Sequence, residues 1–279
     1  MLSELGDDAR LLAGGQSLIP LMKLRFANPT HLIDLNFIAG TSFIREEDDR
    51  LHFGPLTRHV EIETSEVAGK IPILHDCAAG IADVQVRNRG TIGGSLAEAD
   101  PSGDWATVLA TLTTEVRCSA ANDARRTVPL GEFIKDAYTT ALAHDELIDE
   151  IVVRKPARNS GGAYIAFKRA APVYPTAGVA VQLTLEGDIC THAAIALGCV
   201  GLTAIRATEA ESALRSQPIT RQSIAAACEA ARAAADPQPD MRGSAEYKRA
   251  LVGALTKRAI ETAVLRAGGK PVEVSHLYA

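Results

Sequence analysis

The chain has 279 residues, of which 47% are hydrophobic and 23% charged, and its 29 basic and 34 acidic residues give a formal net charge of −5. These proportions are ordinary for a globular protein that buries a sizeable core. The mildly acidic charge and an aromatic content of only 4% argue against a nucleic-acid binder, which needs a basic surface and often stacking side chains.

Short helix and strand patterns alternate through the first half of the chain, which predicts an α+β or α/β domain. The pattern of residues 2–8 is typical of the end of a helix whose first turns are missing, so we expect a shortened N-terminus. A short strand is predicted next, at residues 10–13. Further strands are predicted at residues 31–36, 50–57 and 147–153, and helices at residues 18–25, 62–68, 73–82 and 102–112.

The pattern changes after a predicted linker at residues 157–162. Strands are predicted at residues 164–168, 177–185 and 190–199, with a turn at Glu186, Gly187 and Asp188 between the last two. Helices are predicted at residues 220–234 and 244–267, the second with Ser244 as a good cap residue. We therefore expect a small β-meander with helices on one face.

The cysteines and histidines form no pattern that indicates a metal site. No C-x-x-C pair is present, and an odd number of cysteines argues against a disulfide framework, so reduced thiols in a cytoplasmic protein are expected. Residues 1–10 carry no signal-peptide pattern, and the longest nearly apolar stretch, residues 193–205, is shorter than the roughly 20 residues of a membrane span. The histidines, expected to be surface or satisfied core residues, are His31, His52, His59, His75, His144, His192 and His276.

Two segments with paired glycines are the most informative part of the sequence. The first glycine segment is Ala13, Gly14, Gly15, Gln16 and Ser17, and the second glycine segment is Thr91, Ile92, Gly93, Gly94 and Ser95. As loops, such pairs let the backbone adopt positive φ and approach a ligand, and their N–H groups can converge on an anion. Two of them suit the diphosphate of a dinucleotide, although a tight turn is the alternative for each. Neither segment matches the Rossmann, P-loop or nucleophile-elbow pattern.

The two segments with their flanks, residues 13–25 and 87–104, resemble the two flavin-binding motifs of the medium subunits of molybdenum hydroxylases, the family of carbon monoxide dehydrogenase and xanthine dehydrogenase. The resemblance continues through residues 167–169, Tyr174 and residues 242–248, and extends over essentially the whole chain. Three departures are visible. Family members usually have a further strand and most of a helix at the N-terminus, Val173 stands where many have aspartate, and Gln16 where others have histidine.

The resemblance implies an α+β, two-lobed FAD-binding domain of the type shared with vanillyl-alcohol-oxidase-like flavoproteins, with lobes at residues 1–55 and 56–156 and a C-terminal domain at residues 160–279. FAD would lie between the lobes, with its diphosphate on both glycine segments. Asp100 and Asp104 would also contact the cofactor, Asp100 at the ribose or adenine end unless it is only a helix cap.

Two residues of the C-terminal domain are implied at the flavin ring. Tyr174 would cover the isoalloxazine ring, unless it is an ordinary core aromatic. Lys168 would stabilise the reduced, anionic flavin by its charge, unless it is a solvated lysine at a strand edge.

The implied function is electron transfer within a complex. A molybdopterin large subunit would oxidise the substrate, a 2Fe–2S small subunit would carry the electrons, and this chain would pass them from FAD to an external acceptor, in a dimer of heterotrimers. The chain offers no catalytic acid–base set, in keeping with chemistry performed by a cofactor. A stand-alone FAD oxidase and a nucleotide-binding assembly protein without redox activity are the alternatives. The substrate (carbon monoxide, an aldehyde, a purine or another heterocycle) and the acceptor stay open.

Overall fold

The computed structural model describes residues 2–121, 124–170, 173–274 and 277–278. Short helices and strands alternate in the first half, and longer elements follow in the second. The strands are β1 (Ala9–Leu12), β2 (His31–Asp34), β3 (Ile44–Glu47), β4 (Arg50–Phe53), β5 (Thr114–Ser119), β6 (Arg125–Pro129), β7 (Ile134–Asp136), β8 (Thr139–Thr140), β9 (Leu147–Arg154), β10 (Ser160–Lys168), β11 (Ala177–Glu186), β12 (Ile189–Gly198), β13 (Ile205–Arg206) and β14 (Leu277–Tyr278). The α-helices are α1 (Leu2–Leu5), α2 (Leu18–Lys23), α3 (His59–Glu63), α4 (Glu66–Lys70), α5 (Pro72–Gly80), α6 (Val84–Arg87), α7 (Ile92–Glu98), α8 (Asp104–Leu109), α9 (Leu130–Phe133), α10 (Thr208–Leu214), α11 (Arg221–Ala234) and α12 (Ala245–Ala267).

The first half contains a small parallel pair and a larger antiparallel sheet. β1 and β2 pair in parallel, with Ala9 opposite His31, and the one-turn 3₁₀ helix Leu35–Phe37 follows β2. The larger sheet has the order β3-β4-β9-β5-β6. Its buried side chains, such as Phe53 and Ile151, share one core with Trp105 and the helices around it. The mixed α+β class predicted from the sequence is confirmed in this half.

The second half is built on the sheet β13-β12-β11-β10-β14, in which β10, β11 and β12 form an antiparallel meander. Alternate residues of these strands face opposite sides. Ala163 and Ile165 belong to a core shared with α11 and α12, whereas Tyr164 and Ala166 belong to the core of the first half. The meander is therefore covered on both faces, by its own helices on one and by the first half of the chain on the other.

A buried ion pair joins the two halves. Arg266, in the last turn of α12, donates to both carboxylate oxygens of Asp76 on α5, at 2.6 and 2.9 Å, and to the carbonyl of Gly162. The side chains are 6% and 1% exposed. On the same boundary, the Tyr164 hydroxyl donates to Asp104 at 2.6 Å. These bonds fix the C-terminal sheet against the helices that carry the site.

Several predicted boundaries differ from the structure: the strands expected at residues 31–36 and 50–57 end at Asp34 and Phe53, and the helix expected at residues 18–25 ends at Lys23. Three further differences have a local cause. The helix expected at residues 62–68 is divided, because the Ser65 hydroxyl accepts from Ala68 N–H and caps a new helix, α4. The linker expected at residues 157–162 is shorter, since Ser160 already pairs with Thr184 in the sheet. The helix expected from residue 102 begins at Asp104, after a turn in which Asp100 accepts from Ser102 N–H.

Among the helices of the described residues, none combines the length and the apolar character that crossing a bilayer demands.

Candidate functional site

A cleft of about 590 Å³ runs between the N-terminal segment that contains β1 and the helices α3, α7 and α8, and it extends to the loop after β10. Its volume lies within the usual range for sites that bind small molecules and cofactors. Every predicted site residue except Ile92 lines it: Ala13, Gly14, Gly15, Gln16, Ser17, Thr91, Gly93, Gly94, Ser95, Asp100, Asp104, Lys168 and Tyr174. Ile92 points into the hydrophobic core instead and is fully buried.

The first glycine segment is a loop between β1 and α2, as its composition predicts. Gly15 adopts a φ of +74°, which a side chain would strain. In the described part of the chain, no acceptor pairs with the backbone N–H groups of Gly14, Gly15, Gln16 or Ser17. Consecutive unpaired N–H groups along a cleft can bind phosphate oxygens. This segment therefore fits an anionic ligand.

The second glycine segment is not a loop, which corrects the expectation from its two glycines. Residues 92–95 form the start of α7, and the Thr91 hydroxyl caps that helix by accepting from Gly94 N–H at 3.1 Å. The N–H groups of Ile92 and Gly93 donate to the carbonyls of Thr57 and Pro55. These N–H groups are thus already paired inside the protein. The glycines matter for close approach, since a Cβ on Gly93 would lie 2.5 Å from Pro55 O.

The two glycine segments touch each other. A Cβ on Gly14 would overlap the carbonyl oxygen of Arg89 and lie 2.8 Å from Gly90 Cα, and a Cβ on Gly94 would lie 3.6 Å from Ala13 Cβ. Only glycine allows this approach at position 14. The contact brings the unpaired N–H groups of the first segment to the side of the cleft that the second segment forms.

Two residues that the sequence did not single out hold this junction together. Asn36 donates from Nδ2 to the carbonyl of Ala13 at 2.9 Å. Arg58 donates to Asn36 Oδ1 and to the carbonyl of Arg89. The guanidinium thereby links the one-turn helix after β2 to the turn that precedes the second glycine segment. No local signal marks this pair, because the contact joins residues that are far apart in the sequence.

Asp100 and Tyr174 lie together at one end of the cleft. Burial, the charge of Asp100 and a hydrogen bond to it raise the pKa of the Tyr174 hydroxyl, and Tyr138 is affected in the same way. The Tyr174 side chain is half exposed. Asp100 also accepts from Ser102 N–H at 2.8 Å. It therefore caps the turn before α8 and meets an aromatic residue of the C-terminal domain.

Lys168 and Asp104 are buried beside this end. Lys168 is 1% exposed, and its Nζ donates to the carbonyl of Gly80 at the end of α5. The alternative of a solvated lysine at a strand edge is therefore wrong. Asp104 accepts from Tyr164, so its carboxylate also joins the two halves of the chain. A buried ammonium places a positive charge where solvent screens it little.

His59, expected from its sequence context to be a surface or satisfied core residue, lines the cleft. It is 5% exposed, and its Nδ1 accepts from Trp105 Nε1 at 3.1 Å. Burial, followed by the charges of Arg58 and Arg87, lowers the pKa of His59 to about 3. The imidazole is therefore neutral over the physiological range. His276 lies outside the described residues.

The low pKa of His59 predicts a pH dependence of stability. Below pH 6.5, the unfolded chain binds a proton on His59 that the folded chain does not bind until pH about 3, so the free energy of unfolding falls as the pH falls. Between pH 7.5 and 5.5 we expect a loss of about 1.3 kcal/mol from this residue. Urea unfolding at the two pH values measures it. Over the same pH interval, the His59→Gln variant should lose about 1.3 kcal/mol less than the parent protein. An equal loss in the parent and the variant would contradict a lowered pKa of His59.

The described residues contain no group of three histidine, cysteine or acidic side chains arranged to hold a metal ion. Burial, with the nearby Asp104, raises the pKa of the Cys77 and Cys199 thiols, so both stay protonated. Neither thiol is then a reactive nucleophile, which requires the thiolate. The chemistry that this cleft supports is the binding of an anionic cofactor beside a buried positive charge.

Comparisons with known proteins find relatives along most of the chain. Residues 1–156 match the family described as the FAD binding domain in molybdopterin dehydrogenase, and residues 162–263 match the CO dehydrogenase flavoprotein C-terminal domain. The carbon monoxide dehydrogenase medium chain of Hydrogenophaga pseudoflava is 40% identical, over 95% of this chain and 93% of that protein. The 6-hydroxypseudooxynicotine dehydrogenase complex subunit alpha of Paenarthrobacter nicotinovorans is 37% identical, over 99% and 94%. A solved structure of carbon monoxide dehydrogenase from Hydrogenophaga pseudoflava superposes with a TM-score of 0.92 at 42% identity, covering 95% of this chain and 92% of that one.

Proposed function

The chain belongs to the FAD-binding subunits of the molybdopterin dehydrogenase family, and from that premise we propose that it transfers electrons inside a multi-subunit complex. It would take electrons from the iron–sulfur clusters of a small partner subunit and pass them to an external acceptor. The observation that carries the proposal is the row of unpaired N–H groups at residues 14–17, which borders a cleft that closes against the second glycine segment.

The residues present fit FAD, which would supply the redox chemistry when it is bound. The first glycine segment would donate its N–H groups to the diphosphate. The second would contribute the close approach at Gly93 and Gly94 and the hydroxyls of Thr91 and Ser95. Lys168, buried and linked to Gly80, would hold a positive charge near the flavin ring and favour the reduced, anionic form.

The orientation of the cofactor follows from the neighbours of Asp100. Because Asp100 lies against Tyr174, one end of the cleft holds both side chains. The flavin ring and the adenosine of an extended dinucleotide lie on opposite sides of its diphosphate. Tyr174 therefore cannot contact the flavin ring while the neighbouring Asp100 contacts the adenosine. We propose that the flavin ring lies at this end of the cleft and that Asp100 orients the Tyr174 hydroxyl.

The complex would have a large molybdopterin subunit and a small 2Fe–2S subunit as partners, in a dimer of heterotrimers. Relatives with similar identity to this chain carry names with different substrates, carbon monoxide and 6-hydroxypseudooxynicotine. Substrate choice would accordingly reside on the large subunit. We also propose the division into lobes at residues 1–55 and 56–156 and a domain at residues 160–279, and the likeness of the two lobes to vanillyl-alcohol-oxidase-like flavoproteins.

Isolation of the native protein from its source under mild conditions tests the proposal, with flavin, molybdenum, iron and chain composition measured on one sample. FAD with molybdenum, iron and two further chains is the expected result. FAD in a lone chain that oxidises an alcohol or amine would favour a stand-alone oxidase. A sample without flavin would favour a nucleotide-binding assembly protein and overturn the proposal.

Removing the aromatic ring of Tyr174 is expected to change the environment of the flavin. In the Tyr174→Ala variant, we expect altered flavin absorption, a changed rate of reaction with oxygen, and FAD binding weaker by about 2- to 10-fold, the contribution of one stacked aromatic pair. Tyr138→Ala is the matched control, because Tyr138 also lies near Asp100 but does not line the cleft. A flavin spectrum identical to that of the parent protein would show that Tyr174 does not stack on the flavin ring.

A further inference from the structure

His59 packs against Gly90, next to the place where the two glycine segments meet. It begins α3, and its backbone N–H donates to the carbonyl of Gly90 at 3.1 Å. A Cβ on Gly90 would lie 2.6 Å from His59 Nε2, so the ring edge faces that glycine. Gly90 in turn touches Gly14. The Nε2 edge of the ring is therefore next to the place where the first segment meets the chain that precedes the second.

Trp105 fixes the proton on this ring. The indole N–H can only donate, and it points at His59 Nδ1 from 3.1 Å, so Nδ1 must be the unprotonated acceptor. In a neutral imidazole, the proton then resides on Nε2. Protonation of Nδ1 would set two N–H groups against each other. The contact thus selects one tautomer and disfavours the charged form without any ligand present.

Within the described residues, the Nε2–H donor of His59 has no hydrogen-bond partner. The residue is 5% exposed and lines the cleft. The side-chain atoms that are both fully buried and unpaired are Thr176 Oγ1 and Gln182 Oε1 among the described residues, so His59 Nε2 is not closed off from its surroundings. An unpaired donor that remains accessible at the wall of a cleft is available to a ligand there. The acceptor on that ligand must lie in the cleft, beside the free N–H groups of the first glycine segment.

We propose that His59 Nε2 donates a hydrogen bond to a phosphate oxygen of the bound dinucleotide, as a neutral donor held in place by Trp105. The inference rests on the FAD binding proposed above and adds a third contact to the two glycine segments. A neutral donor gives up no proton on binding. Its hydrogen bond to a charged oxygen is stronger than one between two neutral groups.

Equilibrium titration of the full-length, flavin-free chain with FAD tests the inference. In His59→Leu, which removes the donor, FAD binding should weaken by about 10- to 100-fold. In His59→Gln, whose amide keeps an N–H donor, it should stay within a few-fold of the parent. Far-UV circular dichroism and urea unfolding of each variant establish that it is folded. Equal affinity in the parent and His59→Leu would overturn the inference and leave FAD binding itself intact, whereas no saturable binding to the parent would defeat the proposed function.

A measurement on the unaltered chain covers the case in which the variants do not fold. Nitrogen-15 NMR of the histidine rings reports which nitrogen carries the proton, and ADP supplies a diphosphate without a flavin. We expect His59 to carry its proton on Nε2 before ADP is added, and the Nε2–H resonance to move when ADP binds. A proton on Nδ1, or an Nε2 resonance that bound ADP leaves unchanged, would overturn the inference.

Discussion

Replacing Gly94 by valine is expected to weaken FAD binding by about 100-fold while the chain stays folded. Gly94 lies in the first turn of α7 and lines the cleft. A Cβ there would lie 2.7 Å from the Thr91 hydroxyl oxygen and 3.6 Å from Ala13 Cβ, and the two methyl groups of valine would extend into the gap between the glycine segments. The loss of affinity would therefore come from the volume that the diphosphate needs.

Gly69→Val is the matched control for this change. Gly69 also lies in a short helix, α4, and a Cβ there meets no atom within 4 Å. Both variants carry the same residue change, so a difference in FAD affinity reports the site and not the helix propensity of valine. Fluorescence titration with FAD measures the affinities, and urea unfolding measures the stability. Full flavin binding by Gly94→Val would mean that the second glycine segment does not border the diphosphate.

Replacing Arg266 by leucine is expected to lower the free energy of unfolding by about 3–5 kcal/mol. The change removes the guanidinium that pairs with the buried Asp76 carboxylate, in a pair whose side chains are 6% and 1% exposed and whose hydrogen bonds are 2.6 and 2.9 Å long. A loss of this size is a large part of the total stability of a domain. The Lys168 contact at Gly80, on the same helix as Asp76, would loosen with it.

Two further variants separate the cost of the buried charge from other effects of the substitution. Adding Asp76→Asn to Arg266→Leu should recover part of the loss, because the buried negative charge that Arg266 pairs with is then removed as well. Lys257→Ala removes an exposed partner of Glu261 on the same helix, at 3.9 Å, and should change stability by less than about 1 kcal/mol. A cost for Arg266→Leu as small as that of Lys257→Ala would show that the pair does not hold the two halves together.

The C-terminal half could be predicted from local patterns. The alternation in residues 177–185 and 190–199, with Gly187 at φ +63° between them, is enough for a hairpin, and Ser244 caps α12 as its position in the sequence indicates. In these places, the local preference and the final fold coincide. The alanines and valines of this half pack between the strands of the meander and the helices α11 and α12, as the predicted arrangement requires.

The site could be predicted only in part, since its geometry depends on contacts between distant residues. The glycines of the second segment suggest a loop. However, the N–H groups of Ile92 and Gly93 donate to the carbonyls of Thr57 and Pro55, which lie far earlier in the sequence, and the Thr91 hydroxyl caps the segment as a helix. Likewise, no residue near His59 in the sequence indicates that the Trp105 indole will donate a hydrogen bond to its ring. Sequence reasoning could therefore name the segments that border the cleft, but not which of their groups remain free to bind.

A structure of the full-length chain with bound FAD would test the central claim most directly. We predict the diphosphate within hydrogen-bonding distance of the N–H groups of residues 14–17 and against Gly93 and Gly94, with the flavin ring at the end that holds Tyr174 and Lys168. A diphosphate away from both glycine segments, or a cofactor outside this cleft, would contradict the account.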